Sequence, residues 1–182
     1  MSNPLSNRNF LSPVGFKLQI ERMAEIDFFC KSTSIPEVSA SFPRVSSFNV
    51  DFPVTPDKMN FSELSVEFLI DEDLKNYSVI QNWLRGMTKP EYYGQTGEFS
   101  KQGNYTEKSL TWLNEYTTLN LFILTSNFNN NIQVQFYNAF PISISTLEFN
   151  VDTKDIEYLV GRASFQYSHY NIFDNTGKKT TL

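Results

Sequence analysis

The chain has 182 residues, enough for one domain or one domain with a sizeable insertion, and too few for two enzyme lobes. Its 15 Lys and Arg against 20 Asp and Glu leave a net charge of -5, which disfavours tight, nonspecific binding to nucleic-acid phosphates by counterion release. Aromatics reach 15% while charged residues fall to 19%, below the usual level of about 25%, so the profile is that of a sheet-rich, lightly charged protein.

Residues 1–13 carry Asn, Ser and Pro with little apolar periodicity and are expected to form a flexible arm that orders against a partner. They hold neither the apolar run of about 7 to 15 residues nor the cleavage pattern of an export signal, and no segment approaches about 18 consecutive apolar residues. Folding in a reducing cytoplasm, without membrane contact, is the expectation. A β domain is predicted over 14–173. From Gly15 the period is two: Phe16, Leu18 and Ile20 alternate with Lys17, Gln19 and Glu21, the pattern of a half-buried strand. The apolar run Ile26 to Cys30 predicts a second strand, with a hairpin turn near Ala24-Glu25. Pro36, Pro43, Pro53 and Pro56 then punctuate a stretch in which Phe48, Val50 and Phe52 alternate, so any strand here belongs at an edge. Leu64, Val66, Phe68 and Ile70 against Glu63, Ser65 and Glu67 make the clearest strand.

The period then becomes helical, with Leu74, Tyr77, Ile80 and Leu84 on one stripe, predicting an amphipathic helix over about residues 73–85. Asp71 or Asp73 is expected to cap it, and Arg85 followed by Gly86 to end it. A long insertion over 87–118 is rich in Gly, Thr, Asn, Glu and Lys, and a loop of this length is usually functional or mobile. Leu119 to Thr125 and the alternation of Ile132, Val134 and Phe136 predict a long hairpin across an Asn-rich turn, broken at Phe140-Pro141. Ile142 and Ile144 alternate with Ser143 and Ser145, and Ala163, Phe165 and Tyr167 alternate with Ser164, Gln166 and Ser168. Residues 174–182 read as a polar tail. The elements add up to an all-β fold bordering on α+β: an antiparallel β-barrel or sandwich of about seven strands with one flanking helix.

No catalytic constellation emerges. The single Cys and single His, Cys30 and His169, make neither an internal disulfide nor a Cys/His zinc site within one chain. His169 lies in a strand pattern far from any Gly-flanked serine, and Cys30 follows Phe28 and Phe29, where a small buried hydrophobe is expected rather than a nucleophile. Asp71-Glu72-Asp73 lacks the spaced ligands and central Gly of a calcium loop. Phosphate-binding glycine motifs are absent, so no cofactor and no metal are expected. Trp83 sits on or beside the helix stripe and reads as core. The tripeptides at Asn60, Asn76 and Asn104 that match a glycosylation acceptor read as chance without an export signal.

The polar side of the strands is distinctive. Gln19, Gln133, Gln135, Ser143, Ser145, Ser164, Gln166 and Ser168 are uncharged, with Lys17 and Glu21 among the exceptions, whereas solvated sheet faces more often carry Lys and Glu. One wet face explains this simply. The sharper reading is a smooth, non-adhesive surface lining the lumen of a barrel that several copies close edge to edge.

Three stretches carry a family resemblance: PVGFKLQIERMAEIDFFCKSTSIPEV, FSELSVEFLIDEDLKNYSVIQNWLRGM, and NAFPISISTLEF with DIEYLVGRASFQYSHYNIF, together from about Pro13 to Phe173. In order and spacing the chain resembles the tail tube proteins of T4-like contractile-tailed bacteriophages, with relatives in baseplate tube initiators and type VI secretion tubes. The resemblance implies hexameric rings whose inner strands merge into one barrel, stacked into a hollow tube of the virion tail through which DNA passes without tight binding. It implies contacts with other copies of the chain, with sheath and with baseplate, and assembly in the host cytoplasm. The arm 1–13, the stretch Phe42 to Pro56 and the insertion 87–118 are candidates for stacking and lateral contacts. A baseplate tube initiator or a type VI secretion-like tube protein is the alternative within this class. An aromatic-rich glycan-binding module, with Trp112, Tyr92, Tyr93 and Tyr105 as platform, is the alternative outside it.

Overall fold

A strand whose apolar residues recur at every second position buries one face only, and the chain meets this demand with a seven-stranded antiparallel sheet coiled around one core. The computed structural model describes residues 15–21, 30–88, 116–125, 129–149, 158–174 and 176–180. In chain order these form β1 (Phe16–Ile20), β2 (Cys30–Thr33), β3 (Val38–Ala40), β4 (Arg44–Ser46), β5 (Asp51–Pro53), β6 (Met59–Phe61), β7 (Leu64–Leu69), α1 (Lys75–Thr88), β8 (Thr117–Leu124), β9 (Asn130–Ile144), β10 (Val160–Gln166) and β11 (His169–Asp174). The expected arm at 1–13, the turn at Ala24-Glu25 and most of the insertion at 87–118, with the platform residues Tyr92, Tyr93, Tyr105 and Trp112, lie outside the described residues.

The sheet runs β1-β8-β9-β10-β7-β2, with β11 also paired to β9. The hairpin expected between the first two strands falls largely on residues 22–29, outside the described ones; among the described residues β1 pairs with β8 and β2 with β7. A half-buried strand needs a neighbour that continues its apolar face, and β8 sets Leu119, Leu121 and Ile123 opposite Ile20, Leu18 and Phe16. The hairpin of β8 and β9 and the register of β7 against β10 follow the sequence pattern. Leu64, Val66 and Phe68 meet Ala163 and Phe165 on the inner side, and Phe136 and Tyr167 complete the core. Burying side chains of this size contributes about 1.5–3 kcal/mol each before entropy is charged. Gly161 marks the tightest approach, because a Cβ there would stand 2.8 Å from Ile70 Cδ1 and 3.1 Å from the Phe68 ring. Tyr167 anchors its hydroxyl on Ser62 O at 2.8 Å, and burial pushes its phenol up to about 12.

The break expected at Phe140-Pro141 does not occur. β9 continues through both residues and changes partners instead, from β8 and β11 along its first part to β10 along its second. Asn138, at φ 53°, marks the change. Pro141 lacks a donor for the ladder, and β9 accommodates it with a bulge that leaves Ile142 unopposed between Ser143↔Ser164 and Pro141↔Phe165.

The helix exists but its limits and its buried face differ from expectation. It starts at Lys75, after Leu74 at φ 54°, and runs through Gly86 to Thr88. Its buried residues are Asn76, Ile80, Trp83 and Gly86, so only Ile80 of the predicted stripe is fully buried, while Leu74, Tyr77 and Leu84 are half-buried. Trp83 packs on Phe165 with ring centroids 6.2 Å apart. Gly86 is not a stop: it lies buried within the helix, which runs on to Thr88. Nor does an acidic residue lie in the first turn. Asn76 ties the entry down: its Nδ2 donates to Leu69 O at 2.7 Å and its Oδ1 accepts from the Tyr77 and Asp71 amides at 2.8 and 3.4 Å. Asp73 instead pairs with Lys75 at 2.7 Å, a contact that holds its carboxyl below the ordinary range.

Candidate assembly surfaces

The outer side of β1, β8, β9 and β11 carries an amide ladder. Gln19, Asn120, Gln135 and Asn171 stand opposite one another across the four strands, and Lys17, Phe122, Gln133 and Phe173 form the next row. Gln133 Nε2 donates to Asn120 Oδ1 at 3.0 Å and the Tyr137 hydroxyl donates to Gln135 Oε1 at 2.7 Å. Tyr137 stacks on His169 with centroids 4.8 Å apart and planes 15° from parallel. The only charge in these two rows is Lys17, and Glu21 lies just beyond the end of β1. Asn120, Asn171 and the aromatic members went unrecognised in the sequence. TTLNLFIL is apolar on both sides of its alternation, which hides which residues face out, and β11 lies in a stretch read as the continuation of β10.

The remaining predicted residues lie elsewhere. Ser143 and Ser164 face each other, with Ser65 next in the row, on the outer side of β9, β10 and β7. Gln166 shares that side by alternation. Ser145 exchanges backbone and side-chain bonds with Arg162, its Oγ accepting the Arg162 amide at 2.9 Å. Arg162 in turn donates from Nε to Glu67 Oε1 at 3.1 Å, with a shorter contact from Nη2 to the same oxygen. Ser168 is exposed between β10 and β11, where it accepts from Asn138 Nδ2 at 3.2 Å. The inner residues of both halves meet in one core, so their outer faces look away from each other. One half carries the amide ladder with Lys17 as its charge, and the other the serines, Gln166 and the Arg162–Glu67 ion pair.

The Pro-rich stretch forms a ribbon in which every residue from Glu37 to Asn60 is exposed. β3 pairs with β6 and β4 with β5, and Val54 N donates to Pro43 O at 2.9 Å between them. Val45 stands opposite Phe52 and Pro43 opposite Val54, placing Pro43, Val45, Phe52 and Val54 on one face. Arg44, Ser46, Asp51 and Pro53 occupy the other. Phe48 at the tip is 98% exposed. Arg44 sits 5.8 Å from the Phe42 ring centroid. Contiguous exposed apolar surface of this kind marks an interaction site.

Among the described residues the amide-bearing half ends in β1 on one side and β11 on the other. Leu124 N donates to Gly15 O, so the backbone groups of Phe16, Leu18 and Ile20 point away from β8. The Cys30 thiol touches the Leu18 backbone, and burial pushes that thiol up to about 11, a value for a packed thiol and not a nucleophile. Among the described residues no group of three or more His, Cys, Asp and Glu side chains converges as a metal site, and no helix is long and apolar enough to cross a membrane.

Comparison with known proteins places this geometry. A family model described as phage tail tube protein matches residues 2–173. No curated protein matches the sequence. Among solved structures, a chain of the anti-feeding prophage baseplate is similar at TM-score 0.58 and 10% identity, over 96% of this chain and 98% of that one. A chain of the cap that terminates the anti-feeding prophage tube is similar at TM-score 0.59 and 10% identity, over 94% and 96% of the two chains. A chain of an extracellular contractile injection system sheath-tube complex is similar at TM-score 0.56 and 10% identity, over 90% and 91%. Identities this low establish a shared fold.

Proposed function

The chain belongs to the phage tail tube protein family, a family of structural proteins, and we propose that it closes into hexameric rings that stack as the hollow inner tube of a contractile tail. The observation that carries this reading is the coexistence, on one small domain, of a nearly uncharged sheet face bounded by strand edges and of a protruding ribbon whose apolar face no described residue covers. A lateral contact from β1 of one copy to β11 of the next returns on itself after a full turn, while a contact made by the ribbon along the axis does not close and grows a filament.

The lumen belongs to the amide-bearing half. A single channel is lined by one side of each subunit, and the half with Gln19, Asn120, Gln133, Gln135 and Asn171 owns the two edges that ring closure needs. Ser143, Ser145, Ser164 and Gln166 then look outward, toward the sheath. A wall of amides in a protein of net negative charge offers passing DNA few cationic partners. Putting lysines in place of Gln133 and Gln135 is expected to leave tubes intact and slow or block genome passage, whereas Ser164→Lys with Gln166→Lys is expected to leave passage unchanged. Equal effects from the two pairs would reject this orientation. Polymer length separates a tube subunit, which grows long polymers once nucleated, from an initiator, which stops at one ring.

A further inference from the structure

The described end of the chain does not leave β11 as a loose tail. Asp174 Oδ1 accepts from the Thr176 amide at 3.0 Å, the Thr176 hydroxyl at 2.6 Å and the Lys178 amide at 2.9 Å. Gly177, at φ 76°, donates its N–H to Asp174 O at 3.0 Å, a backbone conformation that glycine adopts without strain. The chain therefore reverses and runs antiparallel along the outer edge of β11. Asp174 N donates to Lys178 O at 3.0 Å, Thr180 N donates to Ile172 O at 2.8 Å, and Phe173 faces Lys179 between these two bonds.

This edge is the one through which β11 would accept another strand. Backbone groups alternate in direction along a strand, so Ile172 and Asp174, whose groups are taken by the returning chain, are the ones that point away from β9. We propose that residues 176–180 are an edge guard: in the free protomer they occupy the strand edge that ring closure uses, and β1 of a second copy displaces them. The proposal rests on the ring reading above. The magnitudes favour exchange, because two ladder bonds hold the guard, a hairpin this short is marginal on its own, and β1 offers five residues of strand in its place. Lys178 and Lys179 suit the role, since natural sheets place lysine on edges to discourage premature pairing.

A reversible lock tests this. Phe173 and Lys179 form a pair without mutual hydrogen bonds, the kind whose Cα atoms lie about 4.5 Å apart, within the span of a disulfide. The double variant Phe173→Cys with Lys179→Cys, in a Cys30→Ala background, is compared oxidised and reduced by sedimentation velocity and negative-stain microscopy. Oxidised protein is expected to stay monomeric and reduced protein to form annular particles. A full-length chain truncated after Asn175 is expected to form them at roughly tenfold lower concentration, the equivalent of two net backbone hydrogen bonds. Equal assembly of the oxidised and reduced forms overturns the guard and spares the ring reading. So does a truncated chain that fails to assemble where the parent succeeds, since the tail would then belong to the interface. Absence of annular particles from parent, reduced and truncated protein alike overturns the ring reading and the guard with it.

Discussion

The core and the ribbon obey opposite rules although both are rich in apolar residues. In the core, Phe136, Trp83 and Leu119 are all fully buried in one cluster, so intramolecular contacts fix their positions. In the ribbon, Val45, Phe52 and Phe48 are 57%, 57% and 98% exposed, and backbone pairing alone shapes them. A monomer has no reason to keep such residues in water. The contrast separates what specifies the fold from what specifies the assembly.

Substitutions sharpen that separation. Phe136→Ala should cost about 3–5 kcal/mol, the range for deleting a buried aromatic ring, and chemical denaturation should show a much lower midpoint. Next comes Asn76→Ala, which leaves Leu69 O and the helix entry without their partner and should cost about 1–3 kcal/mol; an unchanged midpoint would show that α1 is anchored by Trp83 and Ile80 alone. In the ribbon, Val45→Asp with Phe52→Asp should move stability by no more than about 0.5 kcal/mol, as expected of exposed sites, yet abolish stacking of rings into tubes. A large loss of stability there, with tubes still forming, would invert the comparison. Arg162→Ala is expected to cost at most about 1 kcal/mol because its partnership with Glu67 is largely solvated.

The smallest effect concerns pH. Asp174 is held below its ordinary value first by the Thr176 hydroxyl and then by the Lys178 amide. A depressed folded pKa means that the ionised carboxylate supports the C-terminal turn above the unfolded pKa and that this support fades as pH falls through the folded one. The Thr176 and Lys178 amide resonances should therefore drift to random-coil positions only as pH falls below the ordinary carboxylate pKa of about 3.9; drift already complete at that pH would contradict the turn.

Alternation made most of the sheet legible. Phe16, Leu18 and Ile20, or Ala163, Phe165 and Tyr167, can face one way only, so β1, β7, β9 and β10 announce themselves. Partners were less legible, because nothing local in β1 says that β8, about a hundred residues away, continues its apolar face. The helix shows a subtler loss. Leu74 and Leu84 look like the natural core stripe, but Asn76 is buried to satisfy Leu69 O, and this tertiary hydrogen bond rotates the face. Pro141 reads as a breaker until the bulge at Ile142 is seen to absorb it. The lumen candidates come from polar positions on several strands, and two-fold periodicity tells inside from outside without telling one outer face from another.

The most direct test of the central claim, that one domain supplies both ring closure and axial stacking, is negative-stain microscopy of the purified full-length chain over a range of concentrations. Annular particles with a central hole that stack into tubes at higher concentration are the predicted result. Monomers that persist undersized and unpaired at every concentration, with the ribbon still ordered, would contradict it.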